Sequence, residues 1–228
     1  MSTPHFVTND LMSKITQLND YEETLYKLEG YDKYLIATSE QPLTAFFNNK
    51  TLDKNSLPIK FAGLSSCYRK ETGRHGHNTL GIYRVHQFEK VEQFCVTEPE
   101  KSSDMFNEMI NNSKEFYDSL GINYRIVSIV SGALNNSASI KWDLETYFPG
   151  SKFYGELVSC TNCLDYFSKR LGTKIKETKQ FPHMLNCTLM ANTRVLCCLM
   201  ETYQTENGMI IPEVLRKYMD CDFIPFKN

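Results

Sequence analysis

The chain has 228 residues, of which 41% are hydrophobic, and this length is sufficient for one sizeable core. A net charge of −2 and an isoelectric point near 6.2 exclude a generally basic protein that coats nucleic acid. Eight cysteines in a chain this long are not a disulfide framework, and no charged-then-apolar leader precedes Tyr21. The longest uncharged run, Ile126–Ile140, is too short to span a bilayer. We therefore expect one soluble intracellular domain over residues 1–228, with reduced thiols and no membrane contact.

The first predicted elements are short. Asp10–Thr16 has apolar residues at helical spacing and is predicted to be an amphipathic helix. Leu35–Ala37 is a short apolar strand that leads to a turn containing Thr38 and Glu40, with Pro42 close to a helix start. Taken alone, a threonine or serine followed by glutamate is typical of an ordinary helix cap.

The stretch Leu64–Glu92 is the most informative part of the chain. Its first segment ends in Arg69 and Glu71, and a loop follows that contains Gly73, Arg74, His75, Gly76 and His77. If the segment from Gly81 is a strand, a period of two places four side chains on one face: Arg84, His86, Phe88 and Glu92. Four residues at about 3.3 Å each separate the last two by roughly 13 Å. An arginine, an aromatic ring and a carboxylate so spaced suit a ligand with a base, a phosphate and an amine. The alternative is a solvated hairpin with one stray phenylalanine.

The middle of the chain alternates a helix with strands. Ser103–Leu120 has a methionine and aromatic stripe typical of a core-facing helix, and Gly121 is its stop signal. Strands are predicted at Tyr124–Val130, at Asp143–Tyr147 and at Glu156–Ser159.

The motif Cys160-x-x-Cys163 raises the question of zinc. One such pair without partner ligands is weak evidence for that metal. The basic run 165–180 is typical of a solvated face, with contact to RNA phosphate as the alternative.

A last strand and helix occupy His183–Arg194. The strand carries Asn186 and Thr188, and Arg194 falls in the first turn of the helix. A cation there opposes the helix dipole, so this position is unfavourable unless an anion lies nearby.

Five segments, taken together, resemble one known family. They are YLIATSEQP (34–42), LSSCYRKETG (64–73), GIYRVHQFEKVEQF (81–94), GELVSCTNC (155–163) and HMLNCTLMANTR (183–194). The order and content of these segments resemble the class II aminoacyl-tRNA synthetases, and in detail the seryl-tRNA synthetases of the eukaryotic cytosolic type. The resemblance extends from Thr3 to Phe226.

The resemblance implies an α+β fold with an antiparallel sheet of about six strands and helices covering one side. The implied strands begin at Leu35, Lys60, Gly81, Tyr124, Leu157 and Leu185. The implied reaction joins serine and ATP to give seryl-adenylate with the help of Mg²⁺. Transfer to the 3′ end of tRNA(Ser) in the cytoplasm follows.

The resemblance also implies roles for individual residues. The residues implied in catalysis are Arg69, Glu92 and Arg194. Those implied for serine are Thr38, Glu40, Arg69, Glu92, Asn186 and Thr188. Those implied for ATP are Arg69, Lys70, Glu71, Val85, His86, Gln87, Phe88, Glu156, Leu157, Val158, Ser159 and Arg194. Phe88 is the implied stacking partner of adenine, and the implied metal ligands are Glu156 and Ser159.

The N-terminal region is expected to lack most of the family's motif 1 and the helical arm that grips tRNA. A homodimer, which the family forms, is therefore in doubt. Three interpretations stay open on the sequence. The chain is the catalytic core of a serine–tRNA ligase, an arm-less ligase that loads another acceptor with serine, or an inactive remnant with a binding role.

Overall fold

The computed structural model describes residues 1–17, 24–71 and 81–227. Its centre is a six-stranded antiparallel sheet. The strands are β4 (Ile59–Tyr68), β5 (Gln87–Thr97), β6 (Tyr124–Ser128), β7 (Ile140–Phe148), β8 (Phe153–Asn162) and β10 (His183–Ala191). Their order across the sheet is β4-β5-β10-β8-β7-β6. The predicted α+β class and the count of six strands are confirmed.

Two of the predicted strand positions are wrong. The strand near Leu35 is β2 (Lys33–Leu35), which pairs with β1 (Phe6–Thr8) in a separate small sheet. Its place among the six is taken by β7. The strand predicted from Gly81 begins only at Gln87, because residues 81–86 form turns that dock Tyr83 edge-on against Phe148 and Phe153.

One face of the sheet packs against two long helices. These are α3 (Ser102–Ser119) and α5 (Asn192–Tyr203). Alternate strand residues such as Cys95, Leu185 and Cys187 point into the core beneath them. The apolar stripe predicted for the first of these helices is buried here, and Gly121 with φ +66° ends it.

The opposite face carries three short helices, so the expectation of helices on one side only is wrong. They are α1 (Asn9–Ile15), α2 (Glu40–Ala45) and α4 (Tyr166–Leu171). They bury Phe94, Val96 and Met184 at one end of this face. The other end of the same face is left uncovered by helices, and its side chains are polar.

The remaining described elements are peripheral. β3 (Thr51–Leu52) pairs with β9 (Lys174–Ile175). Beyond α5, β11 (Gly208–Ile210) pairs with β12 (Phe223–Pro225), and α6 (Glu213–Arg216) lies between them. Across the ranges given above, no helix combines the length and apolar content that crossing a membrane requires.

Candidate functional site

A cavity of about 410 Å³ opens over the polar end of the sheet. Ten residues that the sequence predicted for the site line it together: Thr38, Glu40, Arg69, Glu71, Glu92, Glu156, Ser159, Asn186, Thr188 and Arg194. They come from five separate parts of the chain, so the fold assembles the site.

The floor of the cavity is formed by β5 and β10. Glu92 and Thr188 lie directly opposite each other in the register of these two strands. Asn186 lies two residues before Thr188, on the same face, and its amide donates a hydrogen bond to Glu40 Oε1 at 2.9 Å. A carboxylate, a hydroxyl and an amide thus meet at one point of the cavity.

The turn that contains Thr38 forms one wall, and Gly63 allows it to approach. A Cβ atom at Gly63 would lie 2.6 Å from Ser39 Oγ, which is closer than such atoms come. The Thr38 hydroxyl accepts a hydrogen bond from the Glu40 backbone N–H at 3.3 Å, a cap-like contact at the start of α2. The N-cap residue itself, Ser39, makes no side-chain capping bond, and Thr38 lines the cavity.

Glu40 has an unusual acidity. Although part of its side chain faces the cavity, burial in the fold raises the pKa of Glu40 to about 7, and repulsion from Glu92 adds to the shift. The positive charges of Lys90, Arg69 and Lys141 oppose it. This carboxyl group therefore changes charge near neutral pH.

A β-bulge brings Glu156 and Ser159 to the same cavity. In a regular strand, residues three apart point to opposite faces. Here Leu144 pairs with Val158 and Glu145 pairs with Glu156, so Leu157 is the extra residue and the alternation shifts by one. Both oxygen-bearing side chains consequently line the cavity.

Two charged side chains adjoin this pair. Arg194, in the first turn of α5, donates a hydrogen bond to the Glu156 carbonyl oxygen at 3.0 Å and lies 3.4 Å from its carboxylate. Asp143 is opposite Ser159 in the register. Burial, followed by repulsion from Glu156, raises the pKa of Asp143 to about 6.

A much smaller recess, of about 10 Å³, adjoins the cavity beside Arg69. The recess shares Arg69, Glu71, Arg84 and Arg194 with the main cavity, and Val85 and Phe88 add an apolar side. Phe88 is partly exposed and outside both core clusters, and the Arg69 guanidinium lies 5.3 Å from its ring centre. Glu71 is held by an ion pair with Arg84 at 3.0 Å.

Five residues predicted for ATP do not line either cavity: Lys70, His86, Gln87, Leu157 and Val158. Leu157 and Val158 are buried in the core, so only their main-chain atoms are able to reach a ligand. His86 is exposed, and its Nδ1 atom lies 2.8 Å from the Tyr26 hydroxyl and 3.2 Å from the Arg69 carbonyl oxygen. The loop residues Gly73, Arg74, His75, Gly76 and His77 lie outside the described residues.

Several lining residues were missed by the sequence reasoning. Lys90 has the parity of Glu92, which is a signal that could have identified it. The others are Thr24, the β6–β7 connection residues Ala133, Asn135 and Ser137, and Lys141, Thr161 and Cys163. The Cys163 thiol is buried and its pKa is raised by that burial. In the described ranges, Cys160 and Cys163 have no set of three or more metal-binding side chains around them.

A family model identifies the class of protein to which this antiparallel sheet and its polar cavity belong. The family model described as "tRNA synthetase class II core domain (G, H, P, S and T)" matches residues 24–203, so the chain belongs to this family. The resemblance drawn from the five segments is confirmed.

Individual relatives carry more specific names. "Serine--tRNA ligase, cytoplasmic" of Dictyostelium discoideum is 56% identical over 99% of this chain. The crystal structure of the cytoplasmic serine-tRNA ligase from Naegleria fowleri in complex with AMP has a TM-score of 0.95 and 57% identity over 100% of this chain and 50% of that one. A seryl-tRNA synthetase from Pyrococcus horikoshii complexed with ATP has the same TM-score, with 38% identity over 100% of this chain and 52% of the other. The chain spans about half the length of the curated relatives it matches, 52% for the Dictyostelium protein.

Proposed function

We propose that this chain is the catalytic domain of a serine–tRNA ligase, in which serine and ATP react to give seryl-adenylate and pyrophosphate. Serine is then transferred to the 3′ end of tRNA(Ser). The relatives named above favour this function over an arm-less ligase or an inactive remnant. Their names also suggest that the protein works in the cytoplasm. A homodimer stays a prediction.

The observation that carries the proposal is the meeting of three kinds of group in one cavity. Glu92 and Glu40 are acids suited to an ammonium group, and Asn186 and Thr188 are suited to a small hydroxyl. Arg69 lies between these groups and the recess of Phe88. A serine joined at its carboxylate to a nucleotide would place its groups in the same order.

In the first step, a serine carboxylate oxygen attacks the α-phosphorus of ATP, and the bond to the bridging oxygen of pyrophosphate breaks. That carboxylate is ionised at neutral pH, so the nucleophile needs no general base. The work of the protein is then positioning and charge neutralisation. Arg69, a planar cation with two parallel donors, would hold the carboxylate and the α-phosphate together.

The other end of ATP is assigned to the arginine of α5. Arg194 would hold the γ-phosphate, an anion that would offset the helix dipole at this first-turn position, as the Glu156 carboxylate does in this structure. It would then exchange its contact with Glu156 for one with the ligand. Phe88 would stack on adenine, with Glu71 and the main chain at Val85 beside the base.

Magnesium fits the oxygen donors at the bulge. Glu156 and Ser159 offer a carboxylate and a hydroxyl to the same cavity, and these two side chains would hold the ion. When bound there, the ion would polarise the phosphates as a Lewis acid. Asp143, buried behind Ser159 with its Oδ1 atom unpartnered in the described structure, adds negative charge behind this wall.

The test is serine-dependent exchange of labelled pyrophosphate into ATP by the purified chain. We expect exchange with serine and at least about 100-fold less with alanine or threonine. A charging assay with tRNA(Ser) then measures the second step. Folded protein that exchanges no label with any amino acid would contradict activation, and exchange without charging would favour a different acceptor.

A further inference from the structure

Lys90 is a buried cation within the cavity that none of the proposed roles uses. Its relative exposure is 6%, and that of Glu92 is 1%. The Lys90 ammonium lies 2.6 Å from Glu92 Oε2, and both residues line the cavity. Removing two charges from water is costly, so such a pair calls for an explanation.

The strand register explains why Lys90 turns to Glu92. The residues opposite Lys90 on the neighbouring strands are Ser65 and Ala191, neither of which carries a charge. Glu92 is two positions further along β5, on the same face. The lysine therefore finds its counter-ion on its own strand, at the point where Thr188 lies opposite.

The contact leaves Glu92 able to accept another donor. Oε2 is close to the ammonium but has no aligned hydrogen-bond partner among the described residues, although it is buried. A buried carboxylate whose hydrogen-bonding capacity is not filled is suited to a second cation, and Glu92 lines the cavity. The cavity beside it is where such a cation would enter.

We propose that Lys90 is a positioning residue for the amino-acid substrate. It holds the Glu92 carboxylate in place along the strand while the site is empty, and Glu92 then lies between Lys90 and the ammonium group of the bound serine. This inference rests on the proposed function. A lysine that served folding alone would not affect serine and ATP differently.

The surrounding charges support this role. The carboxyl groups of Glu40 and Glu92 repel each other, and Lys90, Arg69 and Lys141 act against that repulsion. Arg69 and Lys141 would be drawn toward phosphate and other acids in the filled site, since Lys141 already lies 3.6 Å from Asp143. Lys90 is the cation paired directly with the carboxylate assigned to the ammonium group.

The experiment is a mutant cycle on pyrophosphate exchange. We expect Lys90→Gln to raise the KM for serine about tenfold or more, because an unpaired buried carboxylate is disfavoured, while the KM for ATP changes less than about twofold. Lys90→Arg, which retains the charge, should stay within about threefold of the natural protein. In a Glu92→Gln background, adding Lys90→Gln should change the KM for serine less than about twofold, because Lys90 acts through Glu92.

The matched control is Lys60→Gln, which removes a lysine from the partly exposed ion pair with Glu108 outside the cavity. It should leave both KM values unchanged. If Lys90→Gln alone does not fold, the KM for serine is compared between Glu92→Gln and the double variant, in which both charges are removed. That comparison still shows whether Lys90 acts through Glu92. Additive losses in the cycle, or equal rises of both KM values, would overturn the role of Lys90. Absence of serine exchange in the natural protein would instead overturn the proposed function and this role with it.

Discussion

The guanidinium of Arg69 lies 5.3 Å from the centre of the Phe88 ring, at the junction of the two cavities. The strands β4 and β5 create this contact, because Cys67 pairs with Phe88 and Arg69 follows two residues after Cys67. Arg69 Nε is also anchored by a hydrogen bond to the Ala37 carbonyl oxygen at 3.3 Å. One side of the arginine thus faces an aromatic ring, and the other faces the polar cavity that contains Glu92.

The first prediction concerns the stacking role of Phe88. Phe88→Ala should raise the KM for ATP about tenfold or more, because an aromatic ring stacked on a base contributes about 1–3 kcal/mol. The KM for serine should change far less, and Phe88→Tyr should retain most of the affinity. Pyrophosphate exchange at varied ATP and serine measures both constants.

A control for this substitution is Phe226→Ala, which removes a half-exposed ring that lines neither cavity. It should have no effect on either constant. If Phe88→Ala impaired serine and ATP binding equally, the ring would be supporting Arg69 rather than stacking on the base.

The second prediction concerns selection for serine. Thr188→Ala should raise the KM for serine more than that for ATP, because a hydroxyl that bonds the substrate is lost while the nucleotide contacts remain. Discrimination between serine and alanine should also fall, since a site built to bond a hydroxyl rejects ligands that lack one by up to about 10⁴-fold. Equal loss for both substrates would remove Thr188 from the serine pocket. Thr188→Ser, which keeps the hydroxyl, is the matched variant.

The third prediction follows from the raised pKa of Glu40. The folded protein holds a proton on this carboxyl group up to about pH 7, whereas an exposed glutamate loses it near its ordinary value of 4.5. Between these values the folded state binds more protons than the unfolded state, so the free energy of unfolding falls as the pH rises. Glu40→Gln should reduce that fall.

The measurement is urea unfolding of both proteins at pH 5, 6 and 7. The difference in unfolding free energy between Glu40→Gln and the natural protein should shift in favour of the variant as the pH increases. The surface variant Glu145→Gln serves as the control, because Glu145 is paired with Arg125 on the outer part of the sheet and lines neither cavity. A constant difference across this range would mean that Glu40 titrates like an exposed acid.

Part of the site was predictable from the parity of residues along strands. Phe88 and Glu92 follow that pattern within β5, whereas Arg69 follows the end of β4, and the resemblance to a known family singled out Asn186 and Thr188. The structure brings all five to adjoining cavities. Prediction from the sequence was wrong where the chain departs from regular alternation or where a strand pairs with one that is distant in sequence. Lys33–Leu35 looks like any apolar strand, and only its pairing with Phe6–Thr8 excludes it from the main sheet.

The bulge at Leu157 shows a second limit of the sequence reasoning. Regular alternation would have placed Glu156 and Ser159 on opposite faces, and only the resemblance to a known family joined them. An extra residue in one strand leaves no clear mark in the sequence, because Leu157 and Val158 are both apolar and both buried. The prediction that His86 shares a strand face with Phe88 is wrong for a different reason. His86 precedes the start of β5, where no strand period applies.

The fourth prediction tests the metal assignment at this bulge. Glu156→Gln should raise the magnesium concentration needed for half-maximal pyrophosphate exchange about tenfold or more, because a neutral amide is a weaker ligand than a carboxylate. Even residues that only support metal ligands reduce metal affinity about 10–100-fold when they are substituted. Binding of Mn²⁺ in the presence of ATP, followed by electron paramagnetic resonance, provides a measurement independent of turnover.

Arg194 loses a partner in the same variant, so the effect on the metal must be separated from the loss of that ion pair. Arg194→Gln provides the comparison. We expect it to weaken ATP binding while leaving the affinity for Mn²⁺ at saturating ATP nearly unchanged, and a metal affinity that falls equally in both variants would place the ion away from Glu156.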